Sequence, residues 1–198
     1  MFNQRPTPKD QRPTPMPTRL TALILLLLLS PIYILLALII MLEDGFPIHF
    51  KQKRVGVNYT FFMLYKFRSM KKNTPNVATH LLGDPKKYLL KSGSLIRKLS
   101  LDELPNLINI IKGEMVFVGP RPALFNQDDL MQLRINAGVD KLKPGLTGWA
   151  QVNGRDELSL EDKVAYEKEY LERKSFWFDI KIILYTFTSV LGSKGVTH

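Results

Sequence analysis

The sequence predicts a mostly helical α/β fold with a few short strands, preceded by a membrane element made of two helical halves around a break. Residues 20–42 form a 23-residue run without charge, and about 20 apolar residues cover a bilayer core. Residues 61–70 are rich in aromatic side chains, which is typical of a strand. Further along, four aliphatic residues have the i, i+3, i+4, i+7 spacing of a helix with one buried face: Leu104, Leu107, Ile108 and Ile111.

Charge and cysteine content narrow the function classes. The chain of 198 residues has 28 Lys and Arg against 18 Asp and Glu, a formal net charge of +10. Such an excess favours an anionic partner, whether nucleic acid, anionic lipid or a phosphorylated substrate. The chain has no cysteine, which excludes disulfides, zinc–thiolate sites and cysteine nucleophiles.

Three segments are expected. Residues 1–18 predict a disordered arm, because they are rich in proline and repeat the motif RPTP at 5–8 and 12–15. Residues 19–43 form the membrane element. Residues 44–198 have the length of one modest domain.

The membrane element is interrupted at Ser30 and Pro31, near its middle. Proline removes a helical hydrogen bond and clashes with the preceding turn. The residues alone leave two structures open, a kinked spanning helix and a re-entrant helix-break-helix. Basic residues flank both sides, including Arg19 before the run and Lys51 after it. Since basic residues favour the cytoplasmic side, this pattern suits an element whose two ends stay there.

The order of elements in the remaining domain follows from periodicity, proline and glycine. We expect strands and turns over 46–72, a loop with room for a short helix over 73–92, and helix signals over 94–112 with the helix ended by Gly113. After it we expect a short strand or extended segment over 115–118, a helix over 126–137, a loop over 143–148, and a helix over 159–174 started by Ser159. The last segment, 175–191, suits either an interfacial amphipathic helix or a core helix.

The stretch SLDELPN at 100–106 carries the most chemical information. Pro105 is tolerated only near a first helical turn, so the helix is expected to begin close to Ser100–Asp102. Asp102 and Glu103 would then lie at the positive end of the helix dipole, which favours ionised carboxylates. Taken alone, Ser100 and Glu103 also fit a structural capping box.

Arginines in rigid or turn settings favour the chemical interpretation of this acidic pair. Arg97 precedes Asp102 by five residues, Arg121 lies between two prolines, and Arg155 follows Asn153-Gly154. A guanidinium pairs with phosphate oxygens through two parallel hydrogen bonds. Carboxylates that act as nucleophile or Mg²⁺ ligand, together with such cations, are the groups that phosphoryl transfer needs.

The chain resembles the bacterial sugar transferase family, the small monotopic phosphoglycosyl transferases. The matching motifs are YKFRSM at 65–70, SLDELPN at 100–106, GEMVFVGPRP at 113–122 and KPGLTGWAQVNGR at 143–155, with a looser match of SFWFDIK at 175–181. They occur in the family's order and with similar spacing, over roughly residues 19–192.

The resemblance implies a catalytic Asp-Glu dyad at Asp102 and Glu103. Asp102 would attack the sugar phosphate of a UDP-sugar, form a phosphosugar-aspartyl intermediate and release UMP. Polyprenyl (undecaprenyl) phosphate would then accept the sugar-1-phosphate, which begins assembly of an O-antigen, capsule, exopolysaccharide or glycoprotein glycan. Glu103 would assist the second half-reaction or the metal.

The resemblance also implies a cofactor, contacts and a location. Mg²⁺ would be held by Asp102 and Glu103, mainly by Asp102. Arg97, Arg121 and Arg155 would contact the phosphates or the nucleotide, with Lys66 as a weaker candidate. The family's membrane element is re-entrant at a Ser-Pro break, matched by Ser30 and Pro31. The catalytic domain, with interfacial amphipathic helices in contact with membrane lipids, would face the cytoplasm at the bacterial inner membrane.

A different class also explains the charge and the membrane element: a membrane-tethered basic protein that binds anionic lipid or nucleic acid. This class does not account for an Asp-Glu pair at a helix start or for motifs in a fixed order, and RNA-binding signatures are absent. We therefore expect an enzyme and no nucleic-acid partner. A related enzyme that works through a ternary complex, without a covalent intermediate, is the second alternative.

Overall fold

The computed structural model describes residues 14–75, 83–154 and 157–191. Its N-terminal part consists of helices α1 (Met16–Leu28) and α2 (Ser30–Asp44), which are bent by 62° relative to each other. Residues 1–13 of the expected arm lie outside the described residues. Helix α1 begins within the segment 1–18, and the hydroxyl of buried Thr14 donates to the carbonyl of Gly113 at 2.9 Å.

The break lies where the sequence predicted it. Ser30 is the first residue of α2, Pro31 lies in its first turn, and the Ser30 hydroxyl donates to the Leu27 carbonyl at 2.7 Å. Proline is tolerated there because the first amides of a helix have no intrahelical acceptor. No helix in the described part of the chain is long and apolar enough to cross a membrane by itself, but α1 and α2 taken together are.

Strands β1 (His49–Val55) and β2 (Phe61–Phe67) confirm the strands expected within 46–72, and they form an antiparallel hairpin with a 3-10 turn at Val57–Tyr59. The edge of β2 that does not pair with β1 forms hydrogen bonds with the buried side chain of Asn109, in helix α4 (Asn106–Lys112). Asn109 accepts the amide N–H of Tyr65 at 3.1 Å and donates to the carbonyl of Met63 at 2.7 Å. This contact fixes the hairpin against the helix that follows the acidic pair.

The single helix expected over 94–112 is wrong. Helix α3 (Gly93–Lys98) ends before Ser100, a 3-10 turn follows at Leu101–Glu103, and α4 begins only at Asn106. Ser100 has a left-handed backbone with φ of 54°, which interrupts the helix, and Pro105 brings no amide hydrogen for its continuation. Gly113 ends α4 with φ of 86°, as expected.

The main hydrophobic cluster lies between helices α1 and α4 and strand β2. The cluster consists of Ala22, Phe62, Leu64, Leu107, Ile110 and Met115, all buried. A second cluster joins α2 to the segment around the acidic pair, because Leu36 and Ile40 pack with Phe67, Leu101 and Leu104. The bent helix pair therefore packs directly on the rest of the domain.

Strand β3 (Val116–Val118) confirms the short strand expected there, and it pairs in parallel with β4 (Gly145–Thr147). The expectation of a plain loop over 143–148 is therefore wrong. Its glycines allow a very close approach of two backbones: a Cβ on Gly145 would lie 2.1 Å from the amide nitrogen of Gly119.

The remaining helices are α5 (Asp128–Ala137), α6 (Trp149–Val152), α7 (Leu160–Arg173) and α8 (Phe176–Leu191), and short 3-10 turns lie at Pro85–Tyr88 and Val139–Lys141. Ser159 accepts the amide of Asp162 at 3.0 Å and so caps α7, as expected.

Helix α8 has one buried face and one exposed apolar face. Phe178 and Ile182 are buried beside Val118 and Tyr170. Phe176 and Trp177, in contrast, are 70% and 77% exposed. One face of α8 therefore belongs to the core, and the other presents large apolar side chains outward.

Candidate active site

The acidic pair lies in the 3-10 turn Leu101–Glu103, with α4 beginning three residues after Glu103. Helical structure thus begins at Leu101, close to the expected helix start, but as a 3-10 turn, and the α-helix itself begins only at Asn106. The capping-box interpretation also fails, because Ser100 makes no side-chain cap hydrogen bond and the Glu103 amide donates to the Ser100 carbonyl at 3.1 Å. A side-chain cap therefore does not account for the two carboxylates here.

Lys66 of β2 connects the two carboxylates. Its Nζ lies 2.7 Å from Glu103 Oε1 and 3.6 Å from Asp102 Oδ2. The three side chains are 13–18% exposed, so their charges interact across little solvent. Lys66, which the sequence made a weaker candidate than the arginines, thus contacts Glu103 directly and lies near Asp102.

Arg121 approaches from the segment after β3, and its Nη1 lies 3.5 Å from Glu103 Oε1. Arg97 lies at the end of α3, where its charge lowers the pKa of Asp102. The structure thus brings Asp102, Glu103, Lys66 and Arg121 together, with Arg97 within electrostatic reach. Arg155 lies outside the described residues, and its role stays a prediction.

The electrostatics of Asp102 differ from those of an exposed carboxylate. Burial raises its pKa, the positive charge of Lys66 opposes that rise, and the negative charge of Glu103 adds to it. Arg97 and Arg121 lower the pKa to a smaller extent. Asp102 is therefore a desolvated carboxylate with partly compensated charge, and such groups are concentrated at functional sites.

The carboxylates of Asp102 and Glu103 could hold Mg²⁺ only together with other ligands, such as substrate phosphates. The described residues contain no group of three or more His, Cys, Asp or Glu side chains that could hold a metal ion alone. Mg²⁺ is commonly held by one or two carboxylates together with substrate phosphates. Glu103 Oε1 already accepts a hydrogen bond from Lys66 and lies 3.5 Å from Arg121 Nη1. Asp102 Oδ2, in contrast, lies 3.6 Å from Lys66 Nζ, which is longer than a hydrogen bond. Asp102 is therefore the better ligand of the two.

A small cleft lies beside Glu103, and two polar residues that line it were not identified from the sequence. Asn106 and Arg54 line it together with Lys66, Glu103 and Arg121. In the sequence, Arg54 is one of the basic residues that follow the membrane run, and in the structure its Nη1 donates to the Pro122 carbonyl at 2.9 Å. The alternation of β1 could have indicated that Arg54 does not share a face with Lys51 and Lys53.

The residues that line this cleft lie within a region of the chain that matches a known family. The family model described as bacterial sugar transferase matches residues 16–193. The chain belongs to the bacterial sugar transferase family. It is accordingly an enzyme, a sugar transferase, and its dyad and cations lie within the matched region.

Individual relatives agree with this assignment. The chain is 43% identical over 178 residues to the uncharacterized sugar transferase EpsL of Bacillus subtilis, with 89% of this chain and 87% of that protein covered. It is 39% identical over 174 residues to the UDP-glucose:undecaprenyl-phosphate glucose-1-phosphate transferase of Escherichia coli, where 83% of this chain matches 37% of the relative.

A third relative carries a different sugar in its name. The chain is 34% identical over 181 residues to the UDP-N-acetylgalactosamine-undecaprenyl-phosphate N-acetylgalactosaminephosphotransferase of Aeromonas hydrophila, which covers 89% of this chain and 43% of the relative. This sugar transferase therefore spans most of one relative and less than half of the other two.

Proposed function

We propose that this chain transfers a sugar-1-phosphate from a UDP-sugar to undecaprenyl phosphate and releases UMP. Relatives named for this reaction support the proposal. The observation that carries it is the position of the dyad. Asp102 and Glu103 lie beside Lys66 and Arg121, while their neighbours Leu101 and Leu104 pack on the apolar helix α2. Phosphate-binding charge and an apolar element for a lipid acceptor thus meet at one place.

In the first half-reaction, a carboxylate oxygen of Asp102 attacks the phosphorus next to the sugar. A new P–O bond forms to Asp102, the bond to the bridging oxygen breaks, and UMP leaves with that oxygen and its electron pair. Burial of Asp102 removes water that would stabilise its charge, and the carboxylate is thereby available as a nucleophile. Lys66 keeps it ionised by lying 3.6 Å away.

In the second half-reaction, a phosphate oxygen of undecaprenyl phosphate attacks the same phosphorus. The bond to Asp102 breaks, the carboxylate is restored, and the product is undecaprenyl-diphosphate-sugar. Glu103, held by Lys66 at 2.7 Å, orients the cations around the reacting phosphate and assists this step. Two displacements allow a soluble donor and a lipid acceptor to use one site in turn.

The cations have separate tasks. Arg121 and Lys66 stabilise negative charge that develops on the transferred phosphate, and Arg97 and Arg155 contact the phosphates or the nucleotide. Mg²⁺, held by Asp102 together with the donor phosphates, with Glu103 beside it, would supply further neutralisation of phosphate charge.

The outward side chains of the bent helix pair suit contact with membrane lipids. Their exposed apolar residues include Leu20, Ile24, Leu27, Leu28, Ile34, Leu35 and Leu42, each at least 49% exposed. Many large exposed apolar side chains on two successive helices are typical of a membrane or protein contact. With both helix ends on the cytoplasmic side, the element is re-entrant, α8 lies at the interface, and the domain meets a cytosolic UDP-sugar donor.

Two measurements test the proposal. UMP release is followed with a panel of UDP-sugars and undecaprenyl phosphate, and protein-bound label is followed with donors radiolabelled in the sugar and no acceptor. The unaltered chain should release UMP and retain label, and Asp102→Asn should abolish both. The matched control is Asp129→Asn, an exposed aspartate in the first turn of α5.

The possible results separate the mechanisms. UMP release without any protein-bound label would favour direct transfer in a ternary complex. Persistent labelling of Asp102→Asn would exclude Asp102 as the nucleophile. Absence of UMP release with every donor, together with salt-sensitive RNA binding, would favour a basic binding protein.

A further inference from the structure

Arg134 of α5 and Glu167 of α7 form a buried ion pair that the proposed reaction does not use. The two residues are 5% and 2% exposed. Arg134 Nε donates to Glu167 Oε2 at 2.8 Å, and Arg134 Nη2 donates to Glu167 Oε1. Burying two charges costs much of the energy that their attraction returns, so such a pair is a weak source of stability. Stability alone therefore accounts poorly for this pair.

The same guanidinium makes a third contact, with the backbone of the active-site segment. Arg134 Nη2 donates to the carbonyl oxygen of Arg121 at 2.9 Å. Arg121 lies between Pro120 and Pro122, neither of which has an amide hydrogen. The segment can be held by hydrogen bonds mainly through its carbonyl groups.

Each of the three carbonyl groups accepts such a bond. The donors are the Gly145 amide to Pro120 at 2.9 Å, Arg134 to Arg121 at 2.9 Å, and Arg54 Nη1 to Pro122 at 2.9 Å. A Pro-Arg-Pro sequence interrupts regular strands and helices, so backbone donors of a neighbouring element do not reach every carbonyl. Two of the three donors are therefore arginine side chains. The carbonyl of Arg121 is thus fixed by a side chain that is itself fixed by Glu167.

Arg121 connects this arrangement to the dyad. Its side chain places Nη1 3.5 Å from Glu103 Oε1, while its own carbonyl oxygen meets Arg134. We propose that Arg134, held by Glu167, is a positioning residue that sets the place at which Arg121 meets Glu103. That this placement matters for turnover rests on the proposed function. The hydrogen-bonded arrangement itself does not.

An arginine is required for this task. Its planar fork binds the two oxygens of Glu167 and leaves a donor directed at a carbonyl, whereas a lysine has one nitrogen at the end of a flexible chain. Arg134→Lys therefore retains the charge next to Glu167 and loses the simultaneous contact with Arg121. Arg173→Lys is the matched control, because Arg173 pairs with Glu169 on the exposed face of α7.

The first experiment is a double-mutant cycle on the rate of UMP release. Arg134→Lys should lower kcat about tenfold with little change in KM for the donor, since small misplacements of positioning groups cost factors of this order or more. In an Arg121→Ala background the same replacement should change kcat by less than about twofold, because residues that act through each other are not additive. Equal losses in both backgrounds, or no loss in either, would overturn the proposal.

The second experiment needs no substrate and so separates this proposal from the proposed function. Hydrogen exchange over residues 117–126 is measured by mass spectrometry for the full chain in detergent micelles. Arg134→Lys and Glu167→Gln should accelerate exchange there, with α8 unchanged and with no effect of Arg173→Lys. Unchanged exchange over 117–126 in both variants would overturn the positioning role, even for a chain that releases UMP. Accelerated exchange in a chain that releases none would contradict only the proposed function.

Discussion

Lys66 Nζ lies 2.7 Å from Glu103 Oε1 and so forms a charge-assisted hydrogen bond between strand β2 and the turn of the acidic pair. The same ammonium is 3.6 Å from Asp102 Oδ2. The two adjacent carboxylates are therefore not equivalent, because one is bound by the cation and the other is only under its electrostatic influence. This difference suits a division into a nucleophile, Asp102, and a carboxylate that holds the cations, Glu103.

Removal of the Lys66 charge should shift the pH dependence of transfer. Burial raises the pKa of Asp102 and Lys66 opposes that rise. Lys66→Met should therefore raise this pKa further and move the acidic limb of the pH–rate profile to higher pH. Transfer at neutral pH should fall by at least about tenfold, a typical loss for one electrostatic group of an active site. Rates of UMP release across pH test this.

Lys141→Met serves as the comparison, since Lys141 is an exposed lysine of the 3-10 turn Val139–Lys141. It should retain the rate and the pH profile of the unaltered chain. A Lys66→Met variant whose acidic limb coincides with that of the unaltered chain would show that Lys66 does not keep Asp102 ionised.

Asp102 should also cost stability at neutral pH. Because burial raises its pKa in the folded state, folding favours the protonated form, and stability is lost as the pH rises through the folded-state pKa. Asp102→Asn should stabilise the fold at neutral pH by on the order of 1 kcal/mol, as replacements at strained functional sites often do. Thermal unfolding across pH is the measurement, and the difference should vanish at acidic pH.

Glu103→Gln should have the opposite effect on stability, because it removes the charge-assisted hydrogen bond to Lys66. It should lower the melting temperature at neutral pH. If Asp102→Asn were as destabilising as Glu103→Gln, the ionised Asp102 would be a stabilising group and not a desolvated one.

Local signals in the sequence predicted the elements that depend on local chemistry. The break at Ser30 and Pro31, the end of α4 at Gly113 and the cap at Ser159 all lie where expected. Each depends on proline geometry, a left-handed glycine or a hydroxyl acceptor, and these act within a few residues. The family resemblance singled out Asp102, Glu103 and Arg121, which the structure brings together, and their roles stay predictions.

Features made by distant residues were not predictable in the same way. The left-handed backbone of Ser100 divides the expected helix, although serine gives no strong signal for that conformation. Strand β4 exists through its pairing with β3, and Asn109 acts as a partner of β2 from 44 residues away. The contact of Lys66 with Glu103 and the Arg134–Glu167 pair also require the packed structure, since they join residues 37 and 33 positions apart.

The close contact between β3 and β4 predicts a strong effect of a single methyl group. A Cβ on Gly145 would lie 2.1 Å from the Gly119 amide nitrogen and 2.4 Å from the Thr147 carbonyl oxygen. Gly145→Ala should destabilise the fold by about 3 kcal/mol, the upper range for overpacking, because only backbone can move. The melting temperature and UMP release should both fall, since Gly145 also binds the Pro120 carbonyl.

Gly83→Ala is the corresponding control, because a Cβ there meets no atom within 4 Å. It should change the melting temperature little. An equally small effect of Gly145→Ala would mean that the segment after β3 can move away from β4 without loss, and that its position is not fixed by this contact.

Accessibility at the two ends of the bent helix pair tests whether it is re-entrant. The chain has no native cysteine, so Pro15→Cys and Phe50→Cys each introduce one reactive thiol. Both positions are exposed and lie outside α1 and α2. In inverted and right-side-out vesicles, a membrane-impermeant maleimide should label both from the cytoplasmic side, because basic residues flank both ends.

Leu28→Cys tests the bend itself, since Leu28 lies at the 62° bend and is 70% exposed. This thiol should resist labelling from either side of the vesicle and become reactive in detergent, because lipid and not protein covers it. Labelling of residues 15 and 50 from opposite sides would establish a kinked spanning helix, and labelling of residue 28 in intact vesicles would place the pair outside the bilayer.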